Sequence, residues 1–169
     1  MTRPAALAAV LLLAAAVSAP ARAVDLPLSA PPAHMSPRAT YLGRCGGCHG
    51  VDGHSADGLV PDLKDSAGYF LCDEETRGYA ARLPNVAFSQ ISDADLAAML
   101  NYVMFDLGGK SAPAGAAAYT AVEMGRLRRQ PLTITDLKAY RREVVAEAIS
   151  RCRAPDHLRT EYDPPTAAR

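Results

Sequence analysis

Five consecutive residues restrict this chain more than any other feature: Cys45-Gly46-Gly47-Cys48-His49. Two thiols stand three positions apart with an imidazole directly after them, and the intervening glycines let a flat group approach the backbone. A thioredoxin-like redox pair shares the Cys-x-x-Cys spacing but belongs at the end of a strand in an α/β pattern. No segment here alternates with a period of two, and no internal repeat is present. A zinc site needs a second ligand pair, and Cys72, Cys152, His54 and His157 show no close pairing in sequence. A plain structural disulfide gives no reason for His49 or for the two glycines.

The reading that uses all five residues is covalent attachment of a c-type haem, with each thiol adding to one vinyl group and the next residue lying under the iron as proximal ligand. The pattern occurs once, so one covalent haem c is expected, held by Cys45 and Cys48 with His49 on the iron.

The N-terminus fits that chemistry. Arg3 precedes a run of Ala, Leu and Val from residue 7 to 17, and Ala21-Arg22-Ala23 offers a small-residue cleavage site. This is the form of a secretory signal peptide over residues 1 to 23, which predicts a periplasmic mature chain from residue 24, the alternative being an uncleaved tether. No later stretch is long and apolar enough to cross a bilayer, so no transmembrane segment is expected after cleavage. An oxidising compartment makes all four cysteines chemically meaningful.

Beyond the signal, residues 24 to 35 carry Pro27, Pro31 and Pro32 and read as an extended lead-in. Ser36-Pro37 has the form of a helix N-cap followed by proline at the first helical position, predicting a helix over residues 37 to 44 that runs into the cysteines. Residues 50 to 84 are rich in Gly, Asp and Pro and predict mostly loop, with short helical turns near Tyr69 and Tyr79. A loop of that length needs something to pack on. Ser92-Asp93-Ala94-Asp95 has the form of a capping box, with Leu96, Leu100, Val103 and Leu107 following at helical spacing until Gly108-Gly109.

Residues 110 to 118, dominated by Ala, Gly, Pro and Ser, read as a linker. A helical extension follows over residues 119 to 153. Thr120 with Glu123 caps one helix that ends before Pro131, and Thr135-Asp136 opens another with Leu137, Tyr140, Val144 and Ala148 on one face. Residues 154 to 169 read as a flexible tail, frayed around Pro164-Pro165. The expected class is all-α: a haem domain over residues 36 to 109 with a helical C-terminal extension. Cys72 and Cys152 either join the extension to the central loops as a disulfide or stand as two separate thiols; the sequence leaves both open.

The chain resembles the class I cytochrome c family. The resemblance is carried by Cys45 to Gly50, by Gly58-Leu59-Val60-Pro61-Asp62-Leu63, by Leu83-Pro84, and by Ser92 through Val103. It covers residues 37 to 107 and leaves the last third unexplained. It implies a cytochrome c-like haem domain in which the helix before the motif crosses the helix after the last loop. It also implies that the Pro61 carbonyl meets the far ring nitrogen of His49 and fixes its tautomer, making Pro61 part of the cofactor site.

One departure stands out. The family places a methionine before a proline in the loop preceding the final helix, and this chain has Leu83-Pro84 there. Leucine cannot bind iron. Met99, Met104 and Met124 are the candidates for a distal ligand, although Met99 and Met104 have the spacing of core residues. Met124 and Met35 have no positional argument, His54 follows the motif too closely to reach the opposite face easily, and His157 reads as a surface residue.

Three functions follow. A six-coordinate haem predicts an electron carrier rather than an enzyme, passing single electrons from a periplasmic dehydrogenase to a terminal oxidase or another cytochrome. An open distal position predicts ligand binding or catalysis. The extension allows a third role, as the dedicated haem subunit of a periplasmic dehydrogenase. No nucleic acid partner is expected, since Lys plus Arg equals Asp plus Glu at 18 each and nothing in the charge suggests one. Residues 50 to 110 hold ten acidic and four basic side chains, and residues 120 to 169 hold seven and ten, so an acidic middle meets a basic extension.

Overall fold

Helix caps set the architecture. In the computed structural model, which describes residues 35 to 55 and 60 to 160, the hydroxyl of Ser36 accepts from the backbone N–H of Ala39 at 3.2 Å and opens α1 (Pro37–Arg44). The signal peptide, the lead-in up to residue 34 and the Pro164-Pro165 end lie outside the described residues. The one-turn helix α2 (Gly46–His49) follows directly on α1. A 3-10 turn (Ala67–Leu71) then leads to α3 (Glu74–Arg82) and α4 (Pro84–Ala87).

Ser92 caps α5 (Asp93–Asn101), accepting from the Asp95 N–H at 3.1 Å and donating to the Asp95 carboxylate at 2.6 Å. Thr120 caps α6 (Ala121–Arg128) through the Glu123 N–H at 3.1 Å. Asp136 caps α7 (Leu137–Cys152) through the Ala139 N–H at 2.8 Å. A last 3-10 turn spans Asp156–Arg159. No strand occurs among the described residues, and the all-α class read from the sequence is the class observed.

Two details differ from the sequence reading. The stretch expected to be mostly loop contains the nine-residue α3, capped by Asp73, whose carboxylate accepts from the Thr76 N–H at 2.9 Å. Glu74 and Glu75 in its first turn and Arg82 in its last complement the helix dipole, and Gly78 in its middle hides the pattern. The helix begun by α5 does not stay α-helical to Leu107. Tyr102–Leu107 is a π-helical segment, and the Gly108 N–H donates five residues back to the Val103 carbonyl at 2.9 Å. There Gly108 lies so close to the 3-10 turn that a Cβ would stand 2.7 Å from the Gly68 nitrogen.

Packing divides into two clusters. In the first, α1 lies against α5 and its π segment, with Tyr41, Leu96, Met99, Leu100, Val103 and Met104 buried between them. The extension contributes Tyr119, Met124 and Leu127 to this same cluster. In the second, Phe70 and Tyr79 of the central region meet Leu132, Val144, Val145, Ala148, Ala154 and Leu158. A fully buried side chain such as Met124 or Leu158, each with no exposed area, stabilises by about 1.5–3 kcal/mol relative to exposure. Ala154 and Leu158 belong to the segment assigned to the tail, and both are packed into this second cluster.

Polar contacts stitch the extension to the helices beneath it. Arg77 on α3 makes a two-pronged pair with Glu123 at 2.7 and 2.9 Å, and its guanidinium lies 4.1 Å from the centroid of the Tyr119 ring. The Asn101 amide accepts from the Tyr119 N–H at 2.7 Å and donates to the Tyr119 carbonyl at 3.0 Å. Cys72 and Cys152 are joined as a disulfide with Cα atoms 5.7 Å apart, which decides between the two alternatives left open above.

Candidate functional site

Helix α2 places the two free cysteines. The Cys48 and His49 N–H groups both donate to the Cys45 carbonyl, at 3.1 and 2.9 Å, so the turn closes as soon as Cys45 is passed. Cys45 and Cys48 are three positions apart on that turn and therefore share a face. Cys48 is exposed and Cys45 half-buried. Burial, together with the neighbouring Cys48, pushes the Cys45 thiol above its ordinary value, against the pull of Arg44.

Gly50 ends the turn with φ +72°, a conformation that favours glycine, and a Cβ there would collide with the carbonyl oxygen of His54. Tyr41, fully buried on α1, reaches across to this point. Its hydroxyl donates to the Gly50 carbonyl at 2.6 Å and also lies 3.3 Å from the His49 carbonyl. Its ring packs on Tyr102 with centroids 5.6 Å apart, so the His49–Gly50 backbone is tied through one side chain to the start of the π segment.

The His49 ring is held from the other side. Its Nδ1 lies 3.0 Å from the Pro61 carbonyl oxygen. A carbonyl only accepts, so Nδ1 carries the proton and donates, leaving the Nε2 lone pair free for a metal. Burial lowers the His49 pKa, opposed by the Pro61 hydrogen bond and by Asp62, and the neutral ring is the form a metal requires.

The Pro61 segment has its own support. Asp62 accepts from the Ser55 N–H at 2.7 Å, from the Ser55 hydroxyl at 2.9 Å and from His54 Nδ1 at 3.2 Å. Burial alone would raise the Asp62 carboxyl, but hydrogen bonds from Ser55 and His54 outweigh it and the net shift is downward. The structure thus brings Cys45, Cys48, His49 and Pro61 together.

The methionines sit differently. Met99, Met104 and Met124 are 1%, 2% and 0% exposed within the first cluster, on whose edge Cys45 also packs. Met35 is exposed, as are His54 and His157. Leu83, in the family's methionine slot, packs against the second cluster with Tyr79 and Leu132.

Tyr41 was not singled out from the sequence, though its place four residues before Cys45 on a predicted helix puts it on the same face. Arg128 was missed as well, and nothing in its local sequence marks it. Its guanidinium donates to the carbonyls of Ala87 at 3.0 Å, Ile91 at 2.8 Å and Ser89, and pairs with Asp93 at 3.0 Å.

Comparison with known proteins agrees with the fold class. The chain is similar to cytochrome c-552 of Thermus thermophilus, 25% identical over 124 residues that make up 63% of this chain and 95% of the relative. It is equally similar to a second cytochrome c-552 of Thermus thermophilus, where the matched region is 84% of the relative. No family model matches the chain. No solved structure matches it. The distant likeness to a cytochrome c supports a haem electron carrier.

Proposed function

We propose that this chain is an exported monohaem c-type cytochrome that moves single electrons between a periplasmic dehydrogenase and a respiratory acceptor. The observation that carries the reading is the donor set on α2: two thiols outside any disulfide, and an imidazole whose Nδ1 is engaged by Pro61 while Nε2 is free. This set fits one haem, with Cys45 and Cys48 as its covalent anchors and His49 as its proximal ligand. When bound, that group supplies a site that accepts and releases one electron.

The protein's own residues do the positioning. Pro61 fixes the tautomer and orientation of His49, Tyr41 holds the backbone that carries it, and the first cluster excludes water from the half-buried Cys45 side. Among the described residues no helix is long and apolar enough to cross a membrane. The acidic middle and basic extension offer opposite-sign surfaces for two redox partners, donor and acceptor.

A second reading rests on Leu83. With that side chain turned into the second cluster, the slot that holds a methionine in the family has no donor, which favours a distal position open to small ligands.

The test is expression with a haem-attachment apparatus, followed by mass measurement and visible spectra of both redox states. One haem retained through denaturation, and lost in Cys45→Ser and Cys48→Ser, is the expected result. A wild-type protein that matures without haem would end the reading. Among holoproteins, a low-spin spectrum with the thioether–iron charge-transfer band favours the carrier. A high-spin spectrum shifted by cyanide or carbon monoxide favours the open site.

A further inference from the structure

Residues 83 to 91, the one-turn α4 and the irregular stretch from Phe88 to Ile91, connect α3 to α5 and lie beside the cysteine turn. Arg44, the residue before Cys45, reaches the Gln90 carbonyl at 3.4 Å. Val86 and Ile91 pack on the first cluster, on whose edge Cys45 also lies. The α4 turn uses the carbonyls of Leu83, Pro84 and Val86 for its own hydrogen bonds, so those of Ala87, Ser89 and Ile91 need partners from elsewhere.

Those partners come from the extension. At one end, Leu132 N–H donates to the Arg82 carbonyl at 2.8 Å and the Arg82 guanidinium donates to the Gln130 carbonyl at 2.7 Å. At the other, Arg128 collects the carbonyls of Ala87, Ser89 and Ile91, three alternate residues, and the Asp93 carboxylate at the start of α5. The Arg128 side chain is 16% exposed, so its bonds to the carbonyls are part-buried, whereas its Asp93 partner is more open to solvent. A planar fork with five donors serves several acceptors at once, which a lysine ammonium on a flexible stem does not.

We infer that Arg128 is a positioning residue for the haem pocket: the extension, through this one guanidinium, fixes residues 87 to 91 against the Cys45 turn and so sets access to that flank of the site. The inference rests on the haem reading above. It gives the extension a task inside the same molecule, whatever partner the protein serves. Substitution frees three carbonyls and one carboxylate together, and the segment then opens as a unit.

The experiment uses the full-length holoprotein with Arg128→Ala, Arg128→Lys and, as a comparison of stability, Glu123→Gln, which removes the extension's pair with Arg77 away from residues 87 to 91. Amide hydrogen exchange and the rate of cyanide binding to the ferric protein are read for each. Arg128→Ala is expected to speed exchange at residues 86 to 91 by about tenfold or more and to raise the cyanide rate by a similar factor. Arg128→Lys should recover less than half of either effect, and Glu123→Gln should leave both within twofold of wild type.

Equal changes in Arg128→Ala and Glu123→Gln would mean general loosening and overturn the inference. Unchanged exchange at residues 86 to 91 in Arg128→Ala would overturn it also. Faster exchange without a changed cyanide rate would leave the arginine a loop anchor with no role at the pocket, which again overturns it. A wild-type protein without haem is a different failure, that of the functional reading, and is seen before any variant is made.

Discussion

Replacing both Cys72 and Cys152 by serine tests how far the extension depends on its crosslink. The two cysteines are 80 residues apart in sequence. In the chain-entropy model, opening a loop of that size returns about 4–5 kcal/mol of freedom to the unfolded state. Measured losses on removing a native disulfide run from about 2 to 5 kcal/mol, so most of the stability of a small domain is at stake. At roughly 2–4 °C per kcal/mol for a chain near this length, a loss of 4–5 kcal/mol lowers Tm by about 8–20 °C.

The double substitution is preferable to a single one because it leaves no lone thiol to attack Cys45 or Cys48. Urea unfolding followed by far-ultraviolet circular dichroism gives both the midpoint and the slope. Without the crosslink the unfolded chain expands and exposes more surface, so the slope should rise while the midpoint falls. A loss below about 1 kcal/mol with an unchanged slope would refute the reasoning, since it would mean that the bond does not constrain the unfolded chain.

Tyr41→Phe removes the hydroxyl that donates to Gly50 and leaves a part-buried carbonyl without that donor, so a loss of about 1–3 kcal/mol is expected in the same unfolding assay. Met124→Leu, a near volume-conserving change in a fully buried site, should lower stability by less than about 1.5 kcal/mol and leave the visible spectrum of the holoprotein unchanged; a lost charge-transfer band would make Met124 an iron ligand. Leu158→Ala, in the second cluster, should cost about 2–5 kcal/mol, and near-wild-type urea stability would show that the segment after α7 is not packed. Arg77 holds the Glu123 carboxyl below its ordinary value of 4.5. The group therefore contributes stability above that value and loses the contribution as pH falls through its lower folded pKa. Thermal denaturation between about pH 5 and pH 2 should accordingly fall less steeply for Glu123→Gln than for wild type, and parallel acid limbs would contradict the assignment.

The parts of this molecule legible in sequence are those written in short-range chemistry. Ser36, Ser92, Thr120 and Asp136 all cap helices, because a side-chain oxygen beside an unpaired N–H acts over three residues. The cysteine turn and its histidine are local in the same sense. Helix α3 was legible only as a short turn near Tyr79, because Gly78 interrupts a mostly polar stretch, and its buried Thr76, Tyr79 and Ala81 acquire an inner face only once the extension covers them.

The π segment was hidden for a related reason: Leu96, Leu100, Val103 and Leu107 keep helical spacing, and the widening at Tyr102 is visible only beside the 3-10 turn that Gly108 approaches. The roles of Tyr41 and Arg128 depend on partners outside their own helices. Arg128 meets carbonyls between 37 and 41 residues earlier, a relation no local pattern encodes. The leucine at position 83 was legible as a missing donor, but its use as an anchor for the second cluster was not.

The four cysteines pose a sorting problem during maturation. Four thiols can pair in three ways, and only one keeps Cys45 and Cys48 out of any bond with Cys72 or Cys152. Cys45, Cys48 and Cys72 all precede Cys152 along the chain, so the correct partner of Cys72 is made last. The segment bearing Cys72 therefore waits as a thiol through the period when wrong partners are nearest. On the proposed function, thioether formation at Cys45 and Cys48 would withdraw both from exchange and reduce three outcomes to one. The proposed haem attachment would thus couple to closure of the extension, and a delay in it would raise the fraction of chains crosslinked in the wrong register.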